Sequence, residues 1–237
     1  MTTLRHFFGL YLVLLVLSVS AAFAERTLLE GFRSAKVGDY LVVAQQKNYT
    51  LLRVAERNER ELTLEEITVP EALFSRQATN WRDWLAAEAP GHTAWALYQV
   101  DLQTGKLSGY YSHARNGWVE VSPVEAFFPT LLTLSFEPLS ADEQRQLGSA
   151  PGQGSQQVSG VWQPPITVEG HRLSTIPLKV WRAVWPPDGS ELAGKTIEVY
   201  LPEGSFPFPT YFPVWIDVRQ KLVSIKIRTI DCGVGLE

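Results

Sequence analysis

Gly189, Gly194, Lys195 and Thr196 stand in the stretch GSELAGKT, which matches the phosphate-loop spacing G-x-x-x-x-G-K-[ST] letter for letter. That spacing does chemistry in one setting only. A strand feeds a glycine loop whose amides surround phosphate, and a helix begins at the Lys-Ser/Thr pair. Here the chain continues as IEVYLP, with Ile197, Val199 and Leu201 alternating against Glu198 and Tyr200 until Pro202. Alternation of that kind predicts a strand, so no helix dipole would face a phosphate. The match is read as chance, and no nucleotide is expected.

Other residues with chemical potential are sparse. His92, His113 and His171 have no partner at the spacings of H-E-x-x-H or C-x-x-C sites, so they read as surface or turn residues and no metal is expected. Cys232 is the single cysteine, which excludes an internal disulfide, and it reads as a small buried residue near the end of the last strand. A G-x-S-x-G elbow is absent. Glu65 and Glu66 are adjacent carboxylates, but neighbours on a strand point to opposite faces and are poorly placed to share one substrate. The sequence gives an enzyme no support, names no catalytic residue and implies no cofactor.

The chain opens with Arg5 and His6, continues through the uncharged run FFGLYLVLLVL and reaches Ala22-Phe23-Ala24. This three-part layout predicts a signal peptide over residues 1–24, cut before Glu25, and places the protein in the periplasm or cell envelope. The alternative is an uncleaved N-terminal anchor, since the uncharged stretch from Phe7 to Ala24 nears the roughly 20 residues that cross a bilayer. No later segment is apolar enough to span a membrane. Without the leader, 21 basic and 25 acidic residues become 20 and 25, a net charge of −5. With no basic run, neither nucleic acid nor an anionic membrane surface is expected as a partner.

The elements that position these residues are mostly strands. DYLVVA and YTLLRVA flank a turn at QQKN; LTLEEITV changes apolar phase at Glu65-Glu66, which predicts a bulge; and Thr93 to Val121 read as a meander with a turn at Asn116-Gly117. Later strands are VWQPPITV, PLKVWRAVW, KTIEVYLP, FPVWIDV and KLVSIKIRTI, the last two joined by a hairpin at VRQKL. Helices are predicted after Asn80, an N-cap, and within Ser122 to Gly148, where SPVE and SADE offer capping boxes and Pro129 should divide two short helices. Gly148 to Gly160 is a low-complexity stretch and reads as a flexible loop inside one domain over residues 25–237. The expected fold is mainly β with a few helices: an antiparallel, strongly curved sheet or half-barrel of about eleven strands, with helices covering its mouth.

Aromatic content is the most distinctive feature. Trp181 and Trp185 share a strand face with Ala183, while Val180, Arg182 and Val184 take the other. Core packing accounts for most such residues. In a sheet curved around a cavity, Trp95, Trp118, Trp181, Trp185 and Trp215 would instead wall a pocket for an acyl chain, another apolar ligand or a sugar.

DLQTGKLSGYYSHARNGWVEV and YFPVWIDVRQKLVSIKI resemble strand pairs of the half-barrel family of bacterial lipoprotein carriers and acceptors. That resemblance implies a concave apolar sheet holding acyl groups beneath a helical lid; the helix after the third strand departs from the family's simplest plan. GDYLVVAQQKNYTLLRV, APGHTAW, WQPPITVEG and GKTIEVYLP are similar to an uncharacterised exported protein family of chlamydia-like bacteria, a likeness that implies export and no known activity. Three functions fit: a periplasmic carrier for an apolar or lipidated ligand, a structural or protein-binding envelope component, and a hydrolase of envelope polymers. The carrier is preferred.

Overall fold

Alternating side chains build one antiparallel sheet of eleven strands, open at both edges. The computed structural model describes residues 26–77, 80–120, 127–147, 160–173, 176–219 and 224–236. The leader, SPVE and nearly all of the low-complexity stretch lie outside the described residues, as do Gln220, Lys221 and Leu222 of VRQKL.

The N-terminal half is a meander: β1 (Tyr40–Gln45), β2 (Asn48–Arg57), β3 (Glu61–Pro70), β4 (Ala94–Asp101), β5 (Leu107–Ser112) and β6 (Gly117–Trp118). Tight turns set its register: Gln46 (φ 55°) closes β1 onto β2, and Asn116 (φ 48°) leads into β6, both left-handed positions. The C-terminal half is a second meander of β12 (Leu178–Val184), β13 (Thr196–Pro202), β14 (Trp215–Arg219) and β15 (Ser224–Gly233). Pairing of β1 with β15 fuses the halves, and β7 (Glu137–Pro138) closes the far side against β12. VWQPPITV is not one strand, because Pro164 and Pro165 can donate to no ladder. It splits into β9 (Gly160–Val161), which pairs with β8 (Gln146–Leu147), and β10 (Ile166–Val168), which pairs with β11 (His171–Leu173).

Apolar layers cover both faces of the sheet. Against the inner face, α1 (Leu28–Phe32) and α4 (Phe127–Thr133) bury Leu29, Phe32, Leu131 and Leu132 with Leu52, Leu64 and Val199. Against the outer face, α2 (Glu71–Gln77), which the sequence reading missed, and α3 (Trp81–Ala86) enclose Tyr40, Val42, Leu51, Ile67 and Val69. Asn80 caps α3 as predicted, its side chain accepting the Asp83 N–H at 2.8 Å.

The two layers explain the phase change in β3. No bulge lies at Glu65-Glu66: Glu65 pairs with Arg53 and Glu66 with Leu52 in regular register, and the skip falls at Ala55 of β2 instead. Leu62 and Leu64 face the inner layer, while Ile67 and Val69, two and four residues beyond Glu65, face the outer one. The apolar pattern shifts because the covered face changes along the strand, with its backbone still in alternation.

Two helix expectations need correction. Pro129 lies inside α4, which runs on to Thr133, so among the described residues it does not end the helix. At SADE the Ser140 amide and hydroxyl both bond Glu143 Oε2, at 3.2 and 2.7 Å, but residues 141–144 form turns and lead into the strand Gln146–Leu147.

Candidate functional site

Between the inner face and α4 lies a cavity of about 410 Å³, within the range of small-molecule sites. Its floor is Leu41 and Val43 of β1, Leu52 of β2, and Ile225 and Ile227 of β15. β14 adds Ile216 and Val218. The roof is Phe127, Phe128 and Leu131 of α4, together with Leu192 and Pro213 from the loops flanking β13.

Leu192 belongs to GSELAGKT, so that stretch supplies a greasy side chain to the cavity. After Lys195 the chain is β13, paired on both sides. The loop's amides turn inward on the loop itself: Ala193 donates to the Ser190 carbonyl at 3.1 Å, Gly194 to Trp185 at 3.0 Å and Lys195 to Leu192 at 2.9 Å. Gly189 and Gly194 take left-handed φ of 80° and 71°, as a tight connection between strands requires. No helix begins at Lys195, and the amides of Ala193, Gly194 and Lys195 are already engaged.

Four polar residues also line the cavity: Gln45, Thr50, Glu66 and Tyr98. The Tyr98 phenol faces the Glu66 carboxyl and favours its ionised form. Burial pushes the Glu66 carboxyl above its ordinary range, only partly offset by that phenol. The Tyr98 phenol is raised as well, first by burial and then by the nearby carboxyl, so it stays protonated.

Glu65 is occupied on the opposite face. Arg53 pairs with it, and the Trp95 indole donates to its Oε1 at 2.7 Å. The two carboxylates therefore act in separate environments.

None of the five sequence-predicted tryptophans is among the cavity's lining residues. Trp95 packs between His92 and His113, with ring centroids 5.2 and 4.9 Å away. Trp118 lies over Gly109 of β5, where a Cβ would come within 2.8 Å of the ring, and so fills the space a strand glycine leaves. Trp181 is buried in the inner layer with Lys179 Nζ 4.7 Å from its ring centroid. Trp185 stacks on Phe127 of the roof, and Trp215 meets Trp162 edge-on at 5.0 Å. Sequence reasoning missed Glu66 and Tyr98; an acid among apolar residues on one strand face was the signal available.

The remaining candidates are engaged elsewhere. His92 Nδ1 meets the Ala89 carbonyl at 2.9 Å, and His171 lies in β11. Cys232 is buried in the inner layer, its thiol pushed up to about 12, chiefly by burial, and donating to the Thr167 carbonyl at 3.5 Å. A protonated buried thiol is a poor nucleophile. A second hollow, of about 430 Å³, opens on the α3 side near Tyr40, Arg82, Glu169 and Asp231. There Asp231 Oδ1 accepts from Gly170 N–H at 3.0 Å and Oδ2 from Tyr40 at 3.3 Å, so its polar groups satisfy one another. Among the described residues no group of three or more His, Cys, Asp or Glu could hold a metal ion, and no helix is long and apolar enough to cross a membrane.

Residues 50–174 match the family model described as CT021 protein, a span from β2 to β11 that includes Glu66, Tyr98 and the α4 roof. Among solved structures, the hypothetical protein CT021 from Chlamydia trachomatis is similar with a TM-score of 0.59 at 19% identity, over 90% of this chain and 96% of that one. At that identity the likeness shows a shared fold. No curated protein matches the chain.

Proposed function

The chain belongs to the CT021 protein family, and we propose that it is an exported carrier that holds an apolar or lipidated ligand in the cavity beneath α4. The observation that carries this reading is the 410 Å³ space between a largely aliphatic sheet face and an aromatic helical roof. Both β14 and β15 contribute isoleucines to it, and each buried methylene of a ligand there would contribute about 0.8 kcal/mol. The leader-like start of the sequence supports an envelope setting. Organic extraction of the purified full chain, followed by mass spectrometry, tests the reading. Stoichiometric recovery of an amphiphile or apolar compound is expected; an empty protein that also takes up none when offered would contradict it.

A second reading, a protein-binding envelope component, is favoured by the open sheet edges. Trp118 on edge strand β6 is 59% exposed, and Val184, beyond the short reach of β7, is 63% exposed. Crosslinking in cells from positions beside Trp118 should recover one partner if this reading holds, and none if the edge is simply solvated.

A further inference from the structure

Strand registers place the four polar residues of the cavity in one diagonal row. Gln45 stands opposite Asn48, and Thr50 lies two residues further along the same strand. Glu66 stands opposite Leu52, two residues beyond Thr50, and Tyr98 stands opposite Leu64, which pairs with Val54, two further again. The row therefore steps by two residues at each of β1, β2, β3 and β4. Diagonal neighbours of this kind lie about 7–8 Å apart, close enough for one head group to reach two of them. The rest of the lining is aliphatic, aromatic or proline.

We propose that this row is a head-group seat, and that Glu66 in it selects an amphiphile bearing a protonated amine over an anionic one. The inference rests on the carrier reading and names its ligand class. Three observations support it. None of the described residues lining the cavity is Lys, Arg or His, so none of them would neutralise a ligand carboxylate or phosphate. Glu66 is the one carboxyl among the described lining residues, with the Thr50 hydroxyl, itself paired with Thr68 Oγ1 at 3.0 Å, and the Tyr98 phenol as its diagonal neighbours, and both oxygens can still accept from a head group. A carboxylate has about four acceptor sites, so the single phenol of Tyr98 leaves most of them open. An ammonium group offers three donors and a charge, the partner this part-buried carboxyl lacks among the described lining residues. Burial raises Glu66 in the empty site, so an arriving ammonium ion would draw it into the ionised form.

The test compares tetradecylamine, tetradecanol and myristate, all below their aggregation limits, with the native full-length chain at pH 7 by titration calorimetry. The amine is expected to bind at least tenfold tighter than either of the others. In E66Q the amine's advantage over the alcohol should vanish. Equal affinity for amine and myristate, tighter binding of myristate, or an amine advantage that survives in E66Q would overturn the proposal and leave the carrier reading intact. Binding of none of the three would overturn both. Should E66Q fail to fold, the three-probe ranking on the native chain decides alone.

Discussion

Phe127 of α4 lies flat on Trp185, just beyond β12, with ring centroids 5.5 Å apart and planes 8° from parallel. One face of Phe127 thus holds the roof to the sheet while the residue also borders the cavity. The Trp185 indole donates to Asp188 Oδ2 at 2.9 Å, which fixes the ring against which α4 rests.

Truncating Phe127 to alanine should therefore act twice. Stability should fall by about 2 kcal/mol, less than for a fully buried phenylalanine because the residue is only partly buried. Apolar ligands should also lose affinity, and their effect on tryptophan emission should be absent in W185F. Denaturation and fluorescence titration of both variants check this; an unchanged response in W185F would separate Trp185 from the roof.

The loop Gly189 to Thr196 gives a paired prediction. L192A should weaken apolar-ligand binding several-fold and lower stability by about 1–2 kcal/mol, because Leu192 is partly buried and lines the cavity. K195A, in the residue that a phosphate loop would use, should change stability by no more than about 0.5 kcal/mol and leave ligand binding alone. A larger effect from K195A than from L192A would give the loop a role other than the one described.

Much of this was legible in the sequence. The alternation in IEVYLP and KVWRAVW identified β13 and β12, and with them the face that carries Trp181, Ala183 and Trp185. A leading Asn80 identified α3. Legibility failed where tertiary context decides. The apolar phase change in β3 looked like a bulge because a single chain does not reveal that both faces of its sheet are covered. Core packing was expected for most of the tryptophans, and none of Trp95, Trp118, Trp181, Trp185 and Trp215 is among the described cavity lining; Trp185 meets the roof helix, Trp118 covers a strand glycine and Trp181 lies in the core. Glu66 went unrecognised as a cavity residue, since an acid beside Glu65 looks like a solvated pair until Leu52 and Tyr98 are seen on its side.

Stability should depend on pH through Glu66. Its carboxyl is raised in the folded protein by burial, so its contribution is complete below the ordinary value of 4.5 and is lost as pH rises through the higher folded value. Asp231, also raised by burial, acts in the same direction, whereas Asp101, lowered to about 2 by bonds from Thr104, loses its contribution only as pH falls below the normal range. E66Q should thus show a shallower decline in melting temperature between about pH 4.5 and 7 than the native chain, with the remaining slope due to Asp231. Identical slopes would mean that Glu66 is solvated.

Glu198 sits opposite Arg182 of β12 and on the same face as Arg219 of β14, and both arginines pair with its carboxylate. Its side chain is 1% exposed, while theirs are 35% and 42% exposed. E198Q leaves two arginines that can turn to water and should cost about 1 kcal/mol. R182A/R219A leaves a buried, unpaired carboxylate and should cost about 3 kcal/mol or more. Urea denaturation of the three proteins tests this ordering, and the reverse order would contradict it.

The central claim, that the space under α4 is a ligand site, is tested most directly by titrating tetradecylamine, tetradecanol and myristate in turn into the native chain and into L131W, whose indole would fill the cavity. Calorimetry should show saturable binding of one molecule per native chain and none to a folded L131W. Equal binding by both, or no saturable binding by the native chain, would contradict the account.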